Sequence, residues 1–250
     1  LSDVVWHDKY VPISIITTIR AINVNLNYKD SLKGTKVSWL QGLLAIFIIG
    51  FGGSTTSAIL CGKVPGWLAS NTTITTYLII HFMMFYFSPF HRFLVSLPKS
   101  LIDPIFLIVD GIQRTNSICL SGVDLVRFGM YDESLMNTSW AAILLCGTLS
   151  GCGGGIWASA LQVSSPKWSF NIPSAIIEPT FNMKTSFAIA LFYALITSPQ
   201  IAGLSLSPIV DIDQGRTLAI IGMIGLNFVK FNETLKRTRD TKTQKKIKKN

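Results

Sequence analysis

The chain has 250 residues, 49% of them hydrophobic and only 14% charged, with a mean hydropathy of +0.44. Soluble domains carry roughly 25% charged residues, so this composition excludes an ordinary soluble globular domain. The net charge of +9 is concentrated at one end, where Lys236, Arg237, Arg239, Lys242, Lys245, Lys246, Lys248 and Lys249 face Asp240 alone; beside membrane-length apolar blocks this reads as a cytoplasmic tail drawn to anionic lipid, not as a nucleic-acid arm.

Seven candidate spans follow in chain order. The first, Val11 to Leu26, is weakened by Arg20, by Asn23 and Asn25 and, just past its end, by Asn27. The second, Val37 to Leu60, is strongly apolar. The third starts near Ile74 and ends between Pro89 and Leu97. The fourth, Leu101 to Val126, is apolar but holds Asp103, Asp110 and Arg114. The fifth, Trp140 to Val163, and the sixth, Thr185 to Leu206, are again strong. The last, Thr217 to Phe231, is short and nearly free of charge. Residues 1–231 thus form one all-α transmembrane domain, and 232–250 are expected to be a disordered basic tail.

An odd number of spans puts the termini on opposite sides. The basic tail assigns the C-terminus to the cytosol and the N-terminus to the lumen or outside. Lys29, Lys33 and Lys36 then lie in one cytoplasmic loop, and His91, Arg92 and Lys99 in the next. The opposite loops carry Lys63, then Arg127 with Asp132 and Glu133, then Arg216 with Asp211 and Asp213. The sequons at Asn71 and Asn137 fall on the lumenal side, while the one at Asn232 is cytoplasmic and should be unused. Lys246 and Lys248, fifth and third counted from the end, fit a dilysine retrieval signal if Asn250 is the native end.

The chain also repeats itself. At a constant offset of 101, Trp39 matches Trp140, Leu43 and Leu44 match Leu144 and Leu145, and Gly50, Gly52 and Gly53 match Gly151, Gly153 and Gly154. These are the second and fifth spans, three places apart in order, so they run in opposite directions. The pattern is two inverted three-helix repeats plus a seventh helix, an arrangement that places permeation sites between the repeats.

The glycine clusters admit two readings. One is close helix packing through small residues. The other is a kink that opens an aqueous path lined by hydroxyls such as Ser54 and Ser57. The mirrored placement favours the kink, with Gly50, Gly52, Gly53, Gly151, Gly153 and Gly154 at the pore. Asp110 and Arg114, four apart, share one helical face and are expected either to pair or to face a polar site. Cys61, Cys119, Cys146 and Cys152 have neither metal-ligand nor disulfide spacing and read as small buried hydrophobes. Catalysis has little support: His7, His81 and His91 are scattered, and Gly147-Thr-Leu-Ser-Gly151 is one residue too long for the rhomboid-protease serine motif.

The series of motifs resembles trimeric intracellular cation (TRIC) channels. Lys36-Val-Ser-Trp-Leu opens the second span, Phe51-Gly-Gly stands at the expected kink, and Ser88-Pro-Phe and Leu97-Pro-Lys99 follow the third. Gly147-Thr-Leu-Ser-Gly151 resembles a G-T-L-K-G motif, and Phe181-Asn-Met-Lys184-Thr-Ser resembles F-P-T-K-A-S. The resemblance covers roughly Trp6 to Lys230. It implies a homotrimeric channel for potassium ions in the endoplasmic or sarcoplasmic reticulum, passing counter-ion current during calcium release through a pore within each protomer. It implies no enzyme activity and no cofactor besides a bound phosphatidylinositol bisphosphate, held by Arg114 and, from the sixth helix, Lys184. Two positions depart from the family: Asp110 stands where it has a basic residue, and Ser150 where it has lysine. A secondary transporter and a non-conducting paralogue are the rival readings.

Overall fold

The computed structural model describes residues 5–6, 13–129, 139–198, 200–201, 204–205 and 208–247. The Asn137 sequon, Asp132, Glu133, His7 and residues 248–250 lie outside them. The architecture is all-α. Helices α1 (Ile15–Ser31), α2 (Trp39–Leu60), α3 (Asn71–Tyr86), α4 (Ser88–Ser96) and α5 (Lys99–Ile118) lead into a π-helical turn, Cys119–Asp124, and α6 (Leu125–Phe128). Then come α7 (Trp140–Ala160), the short α8 (Ser174–Ile177), α9 (Phe181–Thr197) and α10 (Ile212–Ile247). Two antiparallel pairings of two residues each, Val5–Trp6 with Ile13–Ser14 and Gln200–Ile201 with Leu204–Ser205, are the strands among the described residues.

Local chemistry sets five of the helix starts. Ser14, Ser38, Ser70, Ser139 and Thr180 each accept a hydrogen bond from the N–H three residues on, at 3.2–3.4 Å. Such a cap contributes about 1 kcal/mol. Two of these, Ser38 and Ser139, are the serines of the repeated Ser-Trp pair. The ends differ by a residue: α2 closes on Gly62 at φ +64°, whereas α7 closes on Gln162 at φ +49°, a left-handed conformation that disfavours a side chain.

The structure departs from the sequence reading at three places. The third predicted span is bent by 89° between α3 and α4. The break falls at Phe87 (φ −101°, ψ 84°), and Pro89, which cannot donate to a continuing helix, stands in the first turn of α4. The fourth predicted span is one run from Lys99 to Phe128 interrupted by the π turn. The last helix does not stop at Phe231 but continues through the basic stretch to Ile247, where a disordered tail was expected.

Three described helices, α2, α7 and Ile212–Lys236 of α10, are long and apolar enough to cross a membrane, and the bent α3–α4 pair makes up to four. By contrast α1 and α9 have 17 residues each. The core has two centres. One gathers Ala21, Tyr28, Ala45, Ile46, Tyr77 and Met84 from α1, α2 and α3; the other gathers Ile118, Val123, Ile143, Ala190, Tyr193 and Met223 from α5, the π turn, α7, α9 and α10.

The two centres meet where α2 crosses α7. The helices are antiparallel, because Gln41 at the start of α2 donates to Ser165 O and Pro166 O just beyond the end of α7 (3.2 and 3.0 Å), while Ser57 near the end of α2 donates to Cys146 O near the start of α7 (2.8 Å). The crossing is reciprocal at the sequence offset of 101. A Cβ on Gly53 would strike the carbonyls of Leu149 and Ser150, and one on Gly154 would strike those of Ile48 and Ile49. Gly153 and Gly53 touch backbone to backbone, as do Gly52 and Gly154. At the same offset Trp157 Nε1 donates to Thr56 Oγ1 (2.8 Å).

Candidate permeation site

Beside the crossing lies a string of three polar cavities bounded by α1, α2, α5 and α7. The first, about 220 Å³, is lined by Thr17, Ser54, Trp67, Tyr77, Asn116 and Ser117 among others. The second, about 370 Å³, is walled by Asn23 and Asn27 of α1, Gly53 of α2, and Ser150, Gly151, Gly154 and Gly155 of α7. The third, about 350 Å³, runs on between α5 and α10.

The first two cavities share Arg20 and Gly50. Arg20 projects from α1 and donates through Nη2 to Gly50 O at 3.2 Å, while its Nη1 is buried without a hydrogen-bond partner. Tyr77 closes the other side, its ring 3.2 Å from where a Gly50 Cβ would stand. A guanidinium therefore occupies the waist between two hydrophilic spaces. Sequence reasoning had treated Arg20 only as a flaw in the first span, although an ionisable group inside an apolar segment is itself the signal of a functional position.

The second and third cavities share Asn23, Asn27, Asp110, Arg114 and Asn182. Here Arg114 and Asp110 form an ion pair at 2.5 Å along one face of α5, and Arg114 Nη1 is buried without a partner. Asp110 is thus neutralised by its neighbour one turn away, as their spacing predicts. Lys184 is exposed on the first turn of α9 and is not among the residues lining these cavities. The second basic group beside Arg114 is instead Lys230 of α10, whose ammonium sits 4.5 Å from the Phe181 ring centroid. Lys230 was missed because it lies 116 positions from Arg114 and no local pattern links them.

The sequence-derived pore residues divide. Gly50 and Ser54 line the first cavity, and Gly50, Gly53, Gly151 and Gly154 the second. Gly52, Gly153 and Ser57 line neither; they are spent on the helix crossing, Ser57 being fully buried. Helices α2 and α7 run unbroken through their glycines, so no break in helical structure marks the expected kink. Ser150, standing where a lysine was anticipated, is buried and exchanges hydrogen bonds with Ser117, donating to Ser117 O at 2.7 Å.

A second ionic cluster escaped the sequence altogether. Asp124, at the end of the π turn, accepts from Tyr193 Oη (3.1 and 2.9 Å) and from Arg216 Nη2 (2.9 Å). Arg127 donates to Thr197 Oγ1 and to Ala194 O, both at 2.8 Å. Arg127 and Arg216, assigned to loops by sequence, are helix residues that tie the fourth run to α9 and α10. All four cysteines are buried and free. Among the described residues no group of three His, Cys, Asp or Glu is arranged to hold a metal ion.

No curated protein matches the chain. Solved structures do. A TRIC counter-ion channel characterised for its activity in calcium release aligns at TM-score 0.64 and 20% identity, over 89% of this chain and 93% of that one. A trimeric intracellular cation channel from C. elegans with bound Ca2+ aligns at 0.63 and 17%, over 85% and 88%. A prokaryotic TRIC channel in 0.5 M KCl aligns at 0.56 and 17%, over 88% and 96%. At these identities the likeness is one of fold, and the sequence supplies the rest: residues 31–210 match the TRIC channel family model. That match spans α2 through α9 and the glycine crossing, so the chain belongs to the TRIC channel family, whose members are channels and not enzymes.

Proposed function

We propose that this chain is a monovalent cation channel, selective for potassium, that carries counter-ion current across the endoplasmic or sarcoplasmic reticulum membrane during calcium release. Each protomer of a homotrimer holds its own conduit. The spans are α1, α2, α3, the run from α5 to α6, α7, α9 and α10, with α4 turned along the membrane surface and α1–α3 and α5–α9 as inverted repeats. The reciprocal contacts of the α2/α7 crossing support that symmetry. The N-terminus is lumenal and the C-terminus cytosolic; a C-terminal tag digested by protease in intact microsomes supports this, and a protected tag reverses it.

The observation that carries the reading is the pair of polar cavities that share Arg20 and Gly50. Together with the third cavity they trace a hydrophilic route past one antiparallel helix crossing. Arg20 at the waist repels a passing cation by several kcal/mol at short range in a medium of intermediate dielectric, so this arrangement is a closed one. Conduction requires the guanidinium to leave Gly50 O. Planar-bilayer recording of the purified protein tests it. Ohmic single-channel steps in potassium support a channel; saturating flux without steps identifies a transporter, and a silent trimer a non-conducting relative.

An anionic lipid headgroup, with phosphatidylinositol bisphosphate as the leading candidate, binds at the third cavity through Arg114 and Lys230. Asp110 competes with phosphate for Arg114, so binding is weaker than in a protein with a basic residue at that position. Lys184, exposed one turn from Phe181, is left to an outer contact.

A further inference from the structure

A fourth cavity, larger than any of these at about 670 Å³, lies outside the conduit, between the α1–α2 turn and the elbow of α3 and α4. Lys29, Lys33, Lys36 and His91 line it, with Asp30 as the one carboxylate among the lining residues. Lys29 is held in place: its ammonium donates to Met84 O at 2.8 Å and lies 5.3 Å from the Phe85 ring centroid, which leaves two of its protons for a ligand. Lys33 and Lys36 are exposed, and the turn that carries them is fixed by the left-handed residues Lys33 (φ +48°) and Gly34 (φ +85°). His91 Nε2 is buried and has no hydrogen-bond partner. Three ammonium groups and an imidazole thus converge on one concave space of ligand size.

We infer that this cavity binds a phosphomonoester. A single carboxylate offers too few acceptors for these donors, whereas a phosphate dianion presents three oxygens to the ammonium groups at once. Phe85 and Tyr86 supply an apolar wall for whatever the phosphate is attached to. The setting favours a lipid as the source. Beyond the 89° elbow, α4 exposes Phe93 and Val95 beside Arg92, the pattern of a helix lying at a membrane surface. That puts the cavity at headgroup depth. The inference stands apart from the conduit and from the third cavity, since none of its lining residues lines either.

The test uses the purified full chain in detergent, with dioctanoyl phosphatidic acid as the lipid probe and ATP as the soluble one, each followed by an equilibrium binding measurement. The lipid probe binds, and Lys33→Gln with Lys36→Gln weakens it by about tenfold or more. Asp30→Asn, which removes the opposing carboxylate, tightens it by about threefold, a gain that misfolding cannot produce. In a chain carrying Arg114→Gln and Lys230→Gln, which removes the third cavity's headgroup site, both of these effects persist. Binding of the lipid alone makes a headgroup the ligand; equal, competing binding of ATP makes it a soluble phosphate. The inference is overturned if neither probe binds, if the double lysine variant and Asp30→Asn both bind as the unmodified chain does, or if only the Arg114 and Lys230 substitutions reduce binding.

Discussion

Two stretches of the same glycine-rich helices sit side by side and do different work. At the α2/α7 crossing, Gly53, Gly153 and Gly154 bring backbone against backbone, and a methyl group on any of them would meet a carbonyl or a main-chain carbon of the facing helix. One turn away, on the cavity wall, a methyl on Gly50 would meet only the Tyr77 side chain, and one on Gly155 would meet nothing within 4 Å. The residue type is constant while the neighbour changes from a rigid backbone to a movable ring to open space. A glycine cluster is therefore not one feature: its members are sorted by what stands opposite, from facing backbone at Gly53 and Gly154 to buried side chains at Gly151 to open space at Gly155.

That contrast can be broken experimentally, most severely at the crossing. Gly53→Ala or Gly154→Ala costs about 3 kcal/mol or more, because neither facing carbonyl can retreat without moving its helix, and it lowers the thermal midpoint of the detergent-purified protein sharply. Gly50→Ala costs far less, since Tyr77 can shift. Equal midpoints for Gly53→Ala and Gly50→Ala would erase the distinction. On the wall the effects fall on function with folding intact. Asp110→Lys removes the competitor for Arg114 and raises affinity for phosphatidylinositol bisphosphate by about tenfold; Lys230→Gln lowers it, and affinity insensitive to both places the headgroup elsewhere. Arg20→Gln removes the charge at the waist and increases unitary potassium current or open probability by about threefold; a current no larger than that of the unmodified channel would mean that the guanidinium does not gate the path. The smallest effect has the opposite sign. Gly155→Ala faces open space in a helix interior and stabilises by about 0.5–1 kcal/mol through backbone entropy.

The legible parts of the site were those written in local spacing. Asp110 and Arg114 are one turn apart, and their ion pair follows from helix geometry. The offset that aligns the two glycine clusters also aligns Ser38 with Ser139, so the start of both crossing helices was readable along with their antiparallel course. What stayed hidden were contacts between residues far apart in sequence. Lys230 reaches the Arg114 cavity from α10, and Asp124 gathers Tyr193 and Arg216 from 69 and 92 positions away. Lys184, carried over as part of a family motif, is exposed and does not line that cavity.

By itself the sequence determined that the protein is helical and built for a membrane, because the length and apolarity of its segments leave the backbone no other way to satisfy its hydrogen bonds in lipid. It also determined that two of its helices are related and opposed. Only the tertiary structure decided which glycines pack and which line a cavity, where the fourth run takes its π turn, and that Arg20 stands at the waist. Each of these depends on the distance between helices, which is set by the whole packing arrangement and is encoded in no single segment.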